Sequence, residues 1–245
     1  MATTWEHRSA NGFRWTFRTS ARDELEDSLF SRCGDLGERV PVARIRRGRS
    51  FHALRSDGGD LFVKRFAFPN YDTTLAYRIL TGRVRGGREF RNAVEAHTRG
   101  APVPEPLAFG TLHRPFRSYE SLLVYRHLPR DARPLAEAKI EAETPANRAR
   151  LGRAFSGVVA EMHEAGVYHL DLTPLNVLLG GDPSGEFVLF AVDLETIRFG
   201  SPDDADLSRR CLARIDERFE WPSDEERRRF VADYRAARQA LREAR

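Results

Sequence analysis

Five polar residues of this chain sit in apolar surroundings at spacings that could do chemistry together. The stretch "YHLDLTPLNVLL", residues 168–179, sets Asp171 five residues ahead of Asn176 inside a hydrophobic run. Lys64 lies within "LFVKRF", Glu89 within "GREF", and Asp193 follows "FVLFAV". Carboxylates, amides and ammonium groups are costly to surround with apolar side chains unless something partners them. Asn176 and Asp193 offer hard oxygen ligands of the kind Mg²⁺ takes. Lys64 could hold nucleotide phosphates, and Glu89 could fix Lys64 by an ion pair. Asp171 could accept the proton of an attacking hydroxyl. Those parts add up to phosphoryl transfer, in which positioning and charge neutralisation carry most of the catalysis. The five-residue gap lets a short loop aim Asp171 at an acceptor while Asn176 turns back to the metal.

Singly, several of these signals are weak. A strand lysine such as Lys64 is more often on the surface, and a helix glutamate such as Glu89 is usually solvated. Asp193 is harder to dismiss, because a carboxylate ending a buried strand needs a partner. His169 invites reading as a base, but a histidine in such a loop more often packs and bonds the backbone, so it is taken as structural. His52, His97, His113, His127 and His163 lack metal-ligand spacing.

The elements that must position these residues can be read in order. "GFRWTFRT" alternates aromatic and polar residues, the period of a half-buried strand. Ser20 then opens a helix carrying Leu25, Leu29, Phe30 and Cys33, closed by Gly34. Two short strands around Gly48 and a third, "DLFVKRF", make an antiparallel sheet. A helical segment at 74–80, a Gly86-Gly87 break and a helix over 88–98 come next. "GAPVPEP" is extended, because each proline biases its predecessor away from helix. "SYESLLVYRHLP" reads as a buried strand running into a proline-marked linker. Beyond it the chain is mainly helical: a helix over 145–165 stopped by Gly166, a hairpin turned at "GGDPSG", and two closing helices, the second capped by S-D-E-E from Ser223.

This organisation is α+β. It predicts an N-terminal extension (residues 1–39, strand plus helix) packed on an antiparallel-sheet lobe (40–128), and a mainly helical minimal lobe (129–245). The chain has 245 residues, 41% hydrophobic and 31% charged, as an ordinary globular protein does. It has no run of about 18 apolar residues and no signal-peptide pattern, so a cytoplasmic location is expected. Cys33 and Cys211 read as separate reduced thiols. The net charge is only +4, but arginines cluster at Arg44, Arg46, Arg47 and Arg49 and again at Arg78, Arg83, Arg85, Arg88 and Arg91. One arginine is an ordinary solvated charge; two clusters point to anionic partners, since the guanidinium fork suits phosphate.

A strand lysine, a helix glutamate, an H-x-D-x-x-x-x-N loop and an aspartate after the next hairpin resemble the catalytic set of the protein-kinase fold. Three features depart from it. The phosphate-covering loop "RIRRGRSFHAL" has one glycine, Gly48, with Arg47, Arg49 and Ser50 as candidate helpers. Leu170 replaces the arginine of H-R-D. Asp193 leads into "LETIRFG" and then into the final helices, leaving no room for a peptide-docking subdomain. Within this fold the chain resembles the bacterial lipopolysaccharide core kinases, which phosphorylate Kdo or heptose sugars. The resemblance runs from Val40 to Tyr234 and rests on "LFVKRF", "GREFRNAVEAHTRGAPVPEPLAFG", "HEAGVYHLDLTPLNVLL", "VLFAVDLETIRFG" and the tail ending "RRRFVADY". Glu195 and Thr196 stand where many members carry aspartate and arginine. The family implies a bilobal protein-kinase-like fold, ATP with Mg²⁺ as cofactors, and transfer to a sugar hydroxyl at the cytoplasmic face of the inner membrane. It assigns Asp171, Lys64 and Glu89 to catalysis, Lys64 to the nucleotide, and Asn176 and Asp193 to the metal; Gly48, Ser50 and Arg49 of the covering loop are expected, from the loop itself, to join the nucleotide site. The implied partners are an anionic glycolipid or sugar acceptor and, peripherally, an anionic membrane surface; nucleic acid is not expected. The competing readings are an aminoglycoside-type phosphotransferase, which the arginine clusters disfavour, a minimal atypical protein kinase, and a nucleotide-binding pseudokinase, which the complete residue set disfavours.

Overall fold

The computed structural model of the chain describes residues 4–10, 12–30, 41–46, 49–56, 59–67, 86–112, 120–126, 132–137, 144–181, 187–219 and 223–245. The expected helix at 74–80 lies outside these residues, as do Cys33, Gly48, Arg47, Arg78, Arg83 and Arg85. Arg49 and Ser50 are described as strand backbone alone. The described chain divides into two compact units, Met1–Arg91 with Glu105–Arg130, and Asn92–Pro104 with Asp131–Arg245.

The first unit is built on strands β1 (Trp5–Ala10), β2 (Phe13–Arg18), β3 (Pro41–Arg46), β4 (Arg49–Ser56) and β5 (Gly59–Ala67). One α-helical turn, α1 (Arg22–Leu25), sits between 3-10 and π turns over residues 19–30. Helix α2 (Gly87–Thr98) crosses the unit boundary, and β6 (Glu105–Leu112) and β7 (Glu120–Arg126) complete the unit. The strands form one sheet in the order β1-β2-β6-β7-β5-β4-β3, every neighbouring pair antiparallel. The alternation in "FRWTFR" buries Phe13, Trp15 and Phe17, and turns Arg14 outward. Register sets Trp15 opposite Gly110. A Cβ on Gly110 would come 2.6 Å from the Trp15 ring, so only glycine admits the indole there. Trp15 also packs on Phe13 and Phe30, with ring centroids 5.4 and 5.3 Å away. Such aromatic pairs add stability beyond the area they bury. Leu61, Val63, Leu107, Leu122 and Val124 close the same core.

The second unit has β8 (Arg133–Pro134), α3 (Pro145–Glu164), β9 (Val167–His169), β10 (Val177–Gly181), β11 (Phe187–Ala191), β12 (Ile197–Phe199), α4 (Ala205–Arg218) and α5 (Asp224–Glu243). Three helices start where local chemistry predicts. Thr144 caps α3, accepting from the Asn147 N–H at 3.1 Å with Pro145 in the first turn. Asp204 caps α4 and Ser223 caps α5, at 2.9 and 3.2 Å. Gly166 ends α3 in the left-handed region at φ +67°. A Cβ there would lie 2.3 Å from the Gly200 carbonyl oxygen. That close approach belongs to the β9–β12 ladder, in which Val167 faces Phe199 and His169 faces Ile197. Phe155 stacks on Phe219 and meets Phe230, and the Ser156 hydroxyl donates to the Phe230 carbonyl. These contacts dock α3 with the two closing helices. No helix of the described residues is long and apolar enough to cross a membrane.

Candidate active site

In the first unit Lys64 lies mid-strand on β5, opposite Phe51 of β4 and Leu123 of β7. Its Nζ donates to both oxygens of Glu89, at 2.7 and 2.7 Å. The two side chains are 3% and 1% exposed. Two charges so buried persist only as a close, hydrogen-bonded pair. Glu89 stands in the first turn of α2, where the helix dipole favours a carboxylate. Gly86, just before α2, takes φ +83°, and a Cβ there would press on the Phe66 ring at 3.0 Å. The glycine break thus brings the start of α2 down onto the strand that carries Lys64. The Lys64 Nζ also sits 5.2 Å from the centroid of the Phe66 ring.

In the second unit β9 delivers His169, and the chain turns through Asp171 to Asn176 before β10. His169 is buried, and burial lowers its pKa, against opposing effects of the Val192 carbonyl and of Asp193 and Asp171. The ring is therefore neutral. Its Nε2–H donates to the Val192 carbonyl at 3.0 Å, and its Nδ1 accepts the Asp171 N–H at 3.2 Å. Both nitrogens are spent on backbone, so His169 shapes the loop and is no base. The Cys211 thiol donates to the His169 carbonyl, and burial pushes its pKa up to about 12. It is an inert support, not a nucleophile.

The Asn176 amide nitrogen donates to the Asp171 carbonyl at 2.8 Å, which fixes the loop and the amide plane. The Val192 N–H donates to the Asn176 carbonyl at 2.9 Å, extending the β10–β11 ladder by one step. Asn176 and Asp193 therefore sit at the same end of that hairpin. Asp193 is the only non-glycine residue among those described with positive φ, at φ 62° and ψ 51°. A left-handed aspartate is uncommon and redirects the chain sharply. Asn92 of α2 secures the turn after Asp193, donating to the Leu194 carbonyl at 2.7 Å. Among the described residues no three His, Cys, Asp or Glu side chains cluster as a metal site. An amide oxygen and one carboxylate at the same end of a hairpin, with phosphates and water as the remaining ligands, would still fit Mg²⁺.

Sequence reasoning passes over two residues here. Asn92 reads as an ordinary polar position on a helix. Arg218, the last residue of α4, places its guanidinium 3.1 Å from Asp171 Oδ1, and nothing in "LARIDERF" marks it out. A groove of about 660 Å³ beside α4 and α5, lined by Ser208, Leu212, Phe230 and Tyr234 among others, contains none of the five predicted residues.

Residues 46–234 match the family model of the lipopolysaccharide kinase (Kdo/WaaP) family. No curated protein sequence matches the chain. Among solved structures, the chain is similar to WaaP in complex with acyl carrier protein: TM-score 0.56, 20% sequence identity, covering 97% of this chain and 92% of that one. At that identity the likeness shows the fold, which is protein-kinase-like, with an antiparallel sheet in one unit and a mainly helical second unit. The family match spans most of the sequence and takes in all five residues. The chain belongs to the lipopolysaccharide kinase (Kdo/WaaP) family and is a phosphotransferase with an alcohol group as acceptor.

Proposed function

We propose that the protein transfers the γ-phosphate of Mg-ATP to a sugar hydroxyl of the lipopolysaccharide inner core or a related envelope glycan. The observation that carries this reading is the buried Lys64–Glu89 pair, with Nζ gripped by both carboxylate oxygens. A cation kept dry and oriented at such cost suits a multiply charged phosphate ligand better than it suits structure alone. In this reading Lys64 binds nucleotide phosphates and Glu89 holds it in place. Gly48, Arg49 and Ser50 contribute to the nucleotide site. Asp171 receives the proton of the acceptor hydroxyl. Asn176 and Asp193 would hold Mg²⁺, which supplies charge neutralisation on the phosphates when bound. The arginine clusters suit an anionic glycolipid, and they favour peripheral contact of a cytoplasmic protein with an anionic membrane surface. The test offers labelled Mg-ATP with delipidated lipopolysaccharide core, an aminoglycoside panel and a protein mixture. Label on the core glycan supports the reading; label on aminoglycosides or protein alone overturns the choice of acceptor.

A further inference from the structure

We propose that Arg218 is an acceptor-binding residue that recognises an anionic substituent, carboxylate or phosphate, beside the sugar hydroxyl to be phosphorylated. The inference rests on the sugar-kinase reading above and adds a specificity determinant to it. The loop from Asp171 to Asn176, "DLTPLN", contains no cation, and its Leu175 is 57% exposed. The positive charge at Asp171 comes instead from α4. That helix ends on Arg218, and the next residue, Phe219, stacks on Phe155 with ring centroids 5.3 Å apart and anchors the helix end. Among the described residues, Arg218 forms its ion pair with Asp171.

This pair differs from Lys64–Glu89 in the property that matters. The Arg218 and Asp171 side chains are 49% and 39% exposed, so water screens their attraction and the guanidinium is weakly held. The oxygen it occupies, Oδ1, belongs to the carboxylate that must take the proton of the incoming hydroxyl. An acceptor carrying a second anion next to that hydroxyl provides an exchange: Arg218 passes from Asp171 to the substrate anion, and Asp171 is released to the hydroxyl. The planar guanidinium suits carboxylate and phosphate alike, because both accept two parallel hydrogen bonds. A neutral sugar offers Arg218 nothing in return.

The experiment measures transfer from Mg-ATP by wild type, Arg218→Ala and Arg218→Lys. The acceptors are a Kdo glycoside, its carboxyl-reduced form, a heptose phosphate and the unphosphorylated heptose. Thermal unfolding confirms that each variant is folded. The expected result is a KM for one anionic acceptor raised about ten- to hundred-fold in Arg218→Ala, the loss of a charge-assisted hydrogen bond. Partial recovery is expected in Arg218→Lys, with KM for ATP within about two-fold; on the neutral partner sugar Arg218→Ala should match or exceed wild type, because nothing there draws Arg218 off Asp171. Which anionic sugar responds identifies carboxylate or phosphate as the group bound. An equal effect on charged and neutral acceptors, or a fall in kcat with acceptor KM unchanged, overturns the assignment. If wild type phosphorylates none of the sugars, the sugar-kinase reading fails and this inference with it. If wild type is active and Arg218→Ala behaves like it, the inference alone fails.

Discussion

The Lys64–Glu89 pair gives the sharpest quantitative test. Replace Lys64 by Met and Glu89 by Leu, singly and together, so that volume is roughly kept while charge is removed. Both side chains are almost fully buried and joined by two 2.7 Å hydrogen bonds. Removing one partner strands a charge in the interior, which costs about 3–5 kcal/mol. The Tyr125 hydroxyl, 3.4 Å from Glu89 Oε1, is too long a contact to replace the ammonium. Removing both partners takes both buried charges away together, and exchanges of this kind are neutral or stabilising in many proteins. The double variant should therefore be far more stable than the sum of the singles implies, with a coupling energy of about 3 kcal/mol or more. Urea unfolding of the four proteins measures it. Phosphotransfer should be lost to a similar extent in both singles and no further in the double. Stability losses that add within about 0.5 kcal/mol would refute the reasoning and mean that the two charges do not depend on each other.

The second unit supplies two further tests. His163 is buried with its Nδ1 against the Tyr234 hydroxyl at 2.7 Å, and burial, reinforced by Arg238, lowers its pKa to about 3. The unfolded chain, with its histidine near 6.5, then binds more protons than the native state between those values. Stability should fall as pH drops below 6.5, by at most about 1.4 kcal/mol per pH unit from this group. Unfolding of wild type and His163→Gln between pH 6.5 and 5 should show the steeper dependence in wild type; parallel slopes would contradict it. Gly166→Ala combines a positive φ with a Cβ 2.3 Å from a carbonyl oxygen, so it should destabilise by more than the roughly 1 kcal/mol of a relaxed left-handed alanine. A thermal midpoint matching wild type would mean that the β9–β12 region rearranges without strain.

Much of this molecule is legible in its sequence because the signals are local. Ser223 with its acidic followers announces a helix start within one turn, and the structure uses Ser223 as the cap. Lys64, Asp171, Asn176 and Asp193 can be picked out as candidates because each interrupts an apolar pattern, and Glu89 by its place on the helix that follows Lys64. The features that stay hidden depend on distant partners. Strand β1, "WEHRSA", has almost no alternation, and its strand state comes from pairing with β2. The stretch over residues 19–30 reads as one regular helix, yet the structure winds it through 3-10, α and π turns, a departure that no single residue type encodes. Arg218 is one arginine among many on a polar helix until the packing of Phe219 carries it to Asp171. Asn92 likewise acquires its partners, the carbonyls after Asp193, from across the second unit.

The role that matters most is the one proposed for Asp171, as base for the acceptor hydroxyl in a transfer from Mg-ATP. Asp171→Asn keeps the side-chain shape and removes the carboxylate. A single-turnover measurement of phosphate transfer to lipopolysaccharide core, paired with the Kd for Mg-ATP, separates the chemical step from nucleotide binding. Transfer should slow by about 10²–10⁴-fold, with Kd within about three-fold of wild type. Transfer at the wild-type rate in this variant would contradict the role given to Asp171.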